Sequence, residues 1–413
     1  MTSTTPSAPA HRSFAALRHP SYRGYFLSFA GAMMADSVEH VISYWMMFEK
    51  FQSNALGAFA VVSHWLPFLL LSLPVGALAD HFDPRRLIQI GMVIFMGVSL
   101  AWGALFLTDT LEMWHAMVLL TLHGIAGVLW TPGAQVLLHH VVPTEDLQSA
   151  VRLNATSRQL GLLGGPAIGG VLLMLLGPTY GMLVNAFFYL PTIIWLWKAP
   201  YSRAAAGQGP PRRALLSLSD VTSTLRRIAS HKTLLSMILL SGGASFFIGN
   251  AYLPQMPDFA RSLGHANADL SYSVLLGADA IGALTAGFIL ESRGWLRPNP
   301  RTAMILAILW CVALAGFAMS SFYSLAVLLL FIAGFMDLSF NSMAQTLVQL
   351  NAPADIRGRV LGVFSMMALG LRTFSGVTVG LMGAAIGIHT SLTLSALALI
   401  ALSALLLVRS PKS

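Results

Sequence analysis

Apolar stretches about 20 residues long recur along this chain with too little sequence between them for soluble domains. Each is long enough to cross the hydrocarbon of a bilayer as a helix. Inside hydrocarbon every backbone N–H and C=O must be satisfied within the segment, which makes helices the natural form. Segments of this kind lie at 22–49, 56–79, 87–108, 114–141, 149–176, 178–197, 233–256, 269–291, 301–320, 323–350, 359–386 and 388–408. Of 413 residues, 56% are hydrophobic and only 10% are charged, whereas a soluble protein carries about 25% charged residues. The expectation is an all-α membrane protein with twelve transmembrane helices.

Charge distribution sets the orientation. A net charge of +8 would by itself suit a nucleic-acid partner. Sorted by connection, however, 21 of the 24 Lys and Arg residues fall on one side. The other side holds only Lys50 and Arg261, and Arg372 lies inside a helix. This positive-inside bias places both termini in the cytoplasm and leaves no nucleic-acid surface. The first twenty residues (MTSTTPSAPAHRSFAALRHP) have no apolar core of a signal peptide, so the first span is expected to act as its own insertion signal. A single cysteine, Cys311, excludes an intramolecular disulfide.

Residues 198–232 interrupt the pattern. "APYSRAAAGQGPPRR" reads as a linker, and "LLSLSDVTSTLRRIASHK" as an amphipathic helix on the membrane surface. The implied organisation is a tail 1–21, a six-helix bundle 22–197, a cytoplasmic linker 198–232, a second bundle 233–408 and a tail 409–413. The halves resemble each other at an offset near 210. Gln135, Leu137 and Pro143 align with Gln345, Leu347 and Pro353, and Gly124 with Gly334. Gly76 and Asp80 align, one residue out, with Gly287 and Glu291. The G-x-x-x-G of 165–169 aligns with that of 376–380, a spacing that lets helix backbones approach closely. A duplication of this kind suits a carrier with its site at midplane between two pseudo-repeat bundles around a central cavity.

"LPFLLLSLPVGALADHFDPRRLI" (66–88) resembles the second helix and following loop of the major facilitator superfamily, with Gly76, Asp80, Arg85 and Arg86 in the loop motif. His81 and Pro84 depart from the usual basic residues. "TPGAQVLLHHVVPTEDLQSAVRLNATSRQLGLLGGPAIGGVLL" (131–173) and "QLNAPADIRGRVLGV" (349–363) resemble the branch containing the enterobactin exporter and proton-driven drug exporters. The resemblance implies the fold and export, and leaves the substrate open. On its own chemistry, Asp80 can pair with Arg85 and Arg86 across one turn. It can also cap a neighbouring helix N-terminus in one state of a gate.

The sharpest local feature is "MADSVEH", 34–40. Asp36, Glu39 and His40 lie within a roughly 100° face of the first span. A charge at the bilayer centre costs about 3 kcal/mol or more, so this face is expected to border the cavity and to carry protons or contact substrate. Two plainer readings stand beside it: a satisfied structural network, or a position near the outer surface. His64, His123, Asn250, Tyr252, Asp279, Asp337 and Arg372 are further candidates for the cavity lining, with Arg372 expected to pair with Asp279 or Asp337. Arg152 and Arg158 are expected to snorkel at the cytoplasmic surface. Tyr44, Trp45, Phe246 and Phe247 would suit a bulky solute, or anchor helix ends.

The leading functional expectation is a proton-coupled secondary exporter of a small organic solute, in the inner membrane, monomeric and without cofactor. Its partners are the solute, protons and the lipid bilayer. A second is export of a divalent transition metal, for which Asp36, Glu39, His40, His64 and His123 are suitable ligand types. Nucleotide-driven transport is disfavoured, because none of the chain's lysines ends a Walker-type glycine loop. An embedded hydrolase likewise has no G-x-S-x-G or H-E-x-x-H motif to support it.

Overall fold

The computed structural model describes residues 13–51, 53–200, 218–264, 268–294, 296–375, 378–379 and 382–409. Among them there are helices and no strand. The first four crossings are α1 (Pro20–Phe51), α2 (Asn54–His81), α3 (Pro84–Leu107) and α4 (Met113–Val141). The fifth and sixth are α5 (Leu147–Phe187) and α6 (Leu190–Lys198). Inside α5, Gly177 takes φ +69°, a left-handed backbone that separates the two crossings just before Pro178. The amphipathic α7 (Leu218–Ser230) follows where the sequence places it.

The seventh crossing is α8 (Lys232–Phe247), continued after a break by α9 (Met256–Ser262). That break opens at Gly249, φ +50°, earlier than Pro254. Then come α10 (Ala268–Arg293), α11 (Pro300–Met319) and α12 (Tyr323–Asn351). The eleventh crossing is fragmented: α13 (Arg357–Ser365), a π-helical turn Met366–Gly370, α14 (Arg372–Ser375) and α15 (Met382–Ile386). The twelfth is α16 (Ile388–Arg409). The chain is thus an all-α protein of twelve crossings, in two six-helix bundles. The G-x-x-x-G of 376–380, the linker stretch 201–217 and the ends 1–12 and 410–413 lie wholly or partly outside the described residues.

Local signals start the helices. Asp83 accepts from the Arg85 amide at 2.9 Å with Pro84 at the first helical position of α3, and Asn299 does the same for Arg301 ahead of Pro300 in α11. Lipid tails are as apolar as Leu, so helices in a membrane associate through close packing rather than hydrophobic exclusion. Along α5, Gly161, Gly165 and Gly169 meet Met33, Ser37 and Val41 of α1, and a Cβ at Gly165 would overlap Ser37. The N-terminal bundle fills with Tyr22, Phe95, Trp130 and Tyr189, and the C-terminal bundle with Trp310, Phe317 and Phe340.

The bundles meet along α2 against the eleventh crossing and α5 against α10. A Cβ at Gly76 would overlap the Gly358 carbonyl, one at Gly362 the Ser72 carbonyl, and one at Gly287 the Thr156 hydroxyl. The direct hydrogen bonds between the bundles, among the described residues, lie toward one end of the molecule, where α2 and α10 finish and α5 and α13 begin. The two bundles are latched together at that end.

Gly165→Leu is expected to lower the melting temperature of the detergent-solubilised protein by several degrees, the size of an overpacking penalty of about 1–3 kcal/mol. Gly164→Leu, one residue away in open space, is expected to leave it unchanged.

Candidate functional site

Asp36 sits at the middle of the 32-residue α1, far from either end. It is 9% exposed and Glu39 3%. Between them lies His123 of α4. Its Nδ1 is 2.7 Å from Glu39 Oε1, and its Nε2 is 2.8 Å from Asp36 Oδ1, an ion-pair distance although off the line of a good hydrogen bond. Ser99 of α3 donates a short bond to Glu39 Oε2, and Asn185 donates to Ser99 Oγ at 3.2 Å and to the Ala35 carbonyl at 3.0 Å. Phe95 sets its edge against the His123 ring and stacks on Tyr189. These contacts explain the local order: α3, α4 and α5 together hold His123 between two acids.

His40 faces the same group from the chamber side. Its Nδ1 is 2.8 Å from the Asp36 carbonyl oxygen and 3.7 Å from Asp36 Oδ2. The His64 ring of α2 is centred 5.0 Å from His40 and 5.6 Å from His123, and its Nδ1 is buried with no hydrogen-bond partner. Ligand atoms of His40, His64 and His123 all lie within 4.8 Å of one another. The structure therefore brings together five of the sequence candidates, with one correction. Glu39 does not border the chamber: it turns into the bundle toward Ser99 and His123.

The C-terminal candidates gather on the opposite wall. A small, partly open pocket with room for a water-sized group is lined by Asp337, Asn341, Asn250 and Arg372, with Trp310 and Ser245. Asn341 Nδ2 donates to Asp337 Oδ1 at 2.7 Å, and Tyr252 OH reaches Asp279 Oδ1 at 3.4 Å. Arg372 pairs with neither acid, contrary to expectation. Its Nη1 lies 3.2 Å from the Asn250 amide oxygen, in the amide orientation that satisfies both groups, and its guanidinium sits 4.9 Å over the Trp65 ring of α2. A cation–π contact and an amide take the place of a carboxylate.

One residue here escapes the sequence reading, and a second, Arg158, lies elsewhere than expected. Trp65 was hidden among apolar neighbours. Arg158 lies eleven residues into α5, about 16 Å from its start at 1.5 Å per residue. It is thus at depth rather than at the cytoplasmic surface, and within electrostatic reach of Asp36, Asp337 and Arg372. That arithmetic was available from the sequence and would have found it.

The loop motif joins the two bundles at one end. Asp80 is 5% exposed. It accepts from the Gly358 amide at 2.5 Å and the Arg359 amide at 2.9 Å, with Arg359 Nε at 3.4 Å. Gly358 and Arg359 lie in the first turn of α13, so Asp80 caps a helix of the other bundle. Arg85 and Arg86 do not pair with it. Arg85 holds Asp83 at 2.7 Å and the Ala199 carbonyl at 2.8 Å, and Arg86 holds Gln89 at 2.9 Å.

The repeat places Glu291 of α10 in a matching position, bonded by Ser149 near the start of α5. Arg152, expected to snorkel, is 3% exposed and donates to the carbonyls of Leu290 and Leu296 in the other bundle. The linker helix joins this seal: Arg227 forks onto Asp355 at 2.6 and 3.0 Å, which holds that carboxyl below its ordinary range.

The chain belongs to the major facilitator superfamily: the model of the transmembrane secretion effector family matches residues 11–412. It is 24% identical over 360 residues to the multidrug efflux pump Tap of Mycolicibacterium fortuitum, covering 84% of this chain and 85% of that one. It is 24% identical over 341 residues to the enterobactin exporter EntS of Shigella dysenteriae, covering 80% and 78%. Among solved structures, the transporter FucP in its outward conformation superposes with a TM-score of 0.72 at 14% identity, covering 95% of this chain and 100% of that one. The protein is thus a multi-pass membrane transporter, and its family and fold are those of carriers rather than enzymes.

Asp80 holds the seal through hydrogen bonds to a charged group, each worth about 1.5–3 kcal/mol. Asp80→Ala is therefore expected to raise the cytoplasmic labelling rate of Ser72→Cys, in a Cys311→Ala background, by on the order of tenfold. Ser72 is fully buried in the seam, so slow labelling in both proteins would count against a latch at Asp80.

Proposed function

We propose that this transporter exports a small organic solute by alternating access, in exchange for protons carried by Asp36, His123 and Glu39. The observation that carries this is His123 held at 2.7 and 2.8 Å from two carboxylates. The Glu39 contact needs a hydrogen between its two acceptors, and a neutral imidazole supplies one. The Asp36 contact lies off the hydrogen-bond line, and there the attraction is one of charge: a second carboxylate against the buried ring favours one more proton in the trio, on the ring or on a carboxyl, with a net charge of −1 either way. Losing that proton leaves two carboxylates facing a neutral ring in a buried site, and gaining one neutralises the trio. Both changes are costly to one state of the carrier and tolerable in another, which is what exchange for protons requires.

His40 stands between this trio and the outer chamber as the route for protons. Glu39 is the inner partner that orients His123. Asp80 and Glu291 act as the gate that releases when the bundles rock. Export, rather than import, rests on the efflux relatives.

A second reading draws on the convergence of His40, His64 and His123 within 4.8 Å. With Asp36 as fourth ligand, these suit a divalent transition metal as cargo, with Glu39 orienting His123 from behind. Zinc or cobalt at micromolar levels raising the melting temperature, and failing to do so in His64→Ala, would favour metal. No stabilisation would end that reading.

The proton reading is tested in proteoliposomes carrying a trapped pH indicator, with a panel of lipophilic dyes and an imposed pH gradient. Gradient-driven dye movement is expected, abolished by nigericin and reduced in Asp36→Asn by about tenfold or more, equivalent to about 1.4 kcal/mol. Dye movement indifferent to the gradient would overturn it.

A further inference from the structure

The C-terminal pocket has a feature that neither proton nor metal coupling uses. Four of its donors have no hydrogen-bond partner although they are buried: Arg372 Nε, Trp310 Nε1, Ser241 Oγ and Ser245 Oγ. Trp310 is 3% exposed, Ser241 2% and Ser245 4%. Leaving a buried donor unsatisfied costs about 1–3 kcal/mol. Native structures keep such groups few, and each asks for an explanation. Indole and guanidinium nitrogens can only donate, so the group that would satisfy them is an acceptor.

The elements enforce this. Ser241 and Ser245 lie one turn apart on α8, Trp310 comes from α11, and Arg372 from α14. The Trp65 ring and the Asn250 amide hold the guanidinium, and its Nε is left without a hydrogen-bond partner. Across the chamber Arg158 adds a second cation that has no ion pair or hydrogen bond among the described residues. Asp337 lines the same pocket, but its Oδ1 is taken by Asn341, and Asp279 is turned to Tyr252.

We infer that the pocket formed by Arg372, Trp310, Ser241 and Ser245 binds an anionic oxygen group, a carboxylate or phenolate, on the transported solute. The inference rests on the protein being a transporter and names the substrate class: an organic anion with an apolar body. The oxygen meets Arg372 Nε and Trp310 Nε1, the serine hydroxyls fill its remaining lone pairs, and Arg158 closes over it from the other bundle. Two cations from opposite bundles on one anion would also tie occupancy of the site to approach of the bundles.

The test uses the full-length protein in detergent with three probes of one shape: benzoate, benzamide and benzylamine. Benzoate is expected to raise the melting temperature saturably, and the other two are not. Arg372→Gln, and Trp310→Phe, which keeps the ring and deletes the donor, are each expected to weaken benzoate binding about tenfold. Equal stabilisation by benzylamine, or benzoate binding unchanged in both variants, would overturn the inference. So would equal stabilisation by chloride, which would make this an inorganic anion site. Benzoate binding that depends on Arg372 in a protein whose transport ignores the pH gradient would sink the proton reading and leave this one standing. Gradient-driven transport restricted to cationic dyes would do the reverse.

Discussion

An ionisable side chain inside a bilayer has no solvent to fall back on, and must find a partner in protein or border a wet chamber. Nearly every informative residue of this transporter answers that demand in its own way. Glu39 answers it with Ser99 and His123, Asp36 with His123 and His40, and Arg372 with Trp65 and Asn250. Arg152 answers it with two backbone carbonyls of the opposite bundle.

The duplication has a mechanical meaning. Asp80 and Glu291 end the second and eighth crossings, and each reaches the beginning of a helix in the other bundle, α13 in one case and α5 in the other. The match is of position rather than chemistry. Asp80 bonds main-chain amides, whereas Glu291 is bonded by the Ser149 hydroxyl, which itself accepts from the Ala16 amide at 3.0 Å. The N-terminal segment is thereby drawn into one seal and the linker helix into the other, through Arg227 and Asp355.

How much of this was legible in the sequence follows from which interactions are local. The crossings were, because hydropathy over twenty residues needs no tertiary context. The break at Gly177 was too, since the fifth and sixth apolar stretches part at that residue. The face shared by Asp36, Glu39 and His40 was legible as an angle. Which neighbour each would meet was not, since the roughly 100° between them sends Glu39 into the bundle and leaves His40 at the chamber. For Asp80 the sequence left two partners open, the nearby arginines and a neighbouring helix start, and the second is the one found. Arg85 and Arg86 are near in sequence, but Asp83 is nearer to Arg85 and closes the start of α3, while the free amides of α13 lie 278 residues away. Trp65 gave no signal, because an aromatic among leucines looks like packing until an arginine is set against it.

The seam between α2 and the eleventh crossing is built of Gly76, Gly358, Gly362 and Gly370 against main chain. Where glycine meets main chain no side chain separates the two backbones, while Phe68 and Val75 interlock with Leu369 beside them. A side chain at any of these glycines would hold the backbones apart and take the α13 amides out of reach of Asp80.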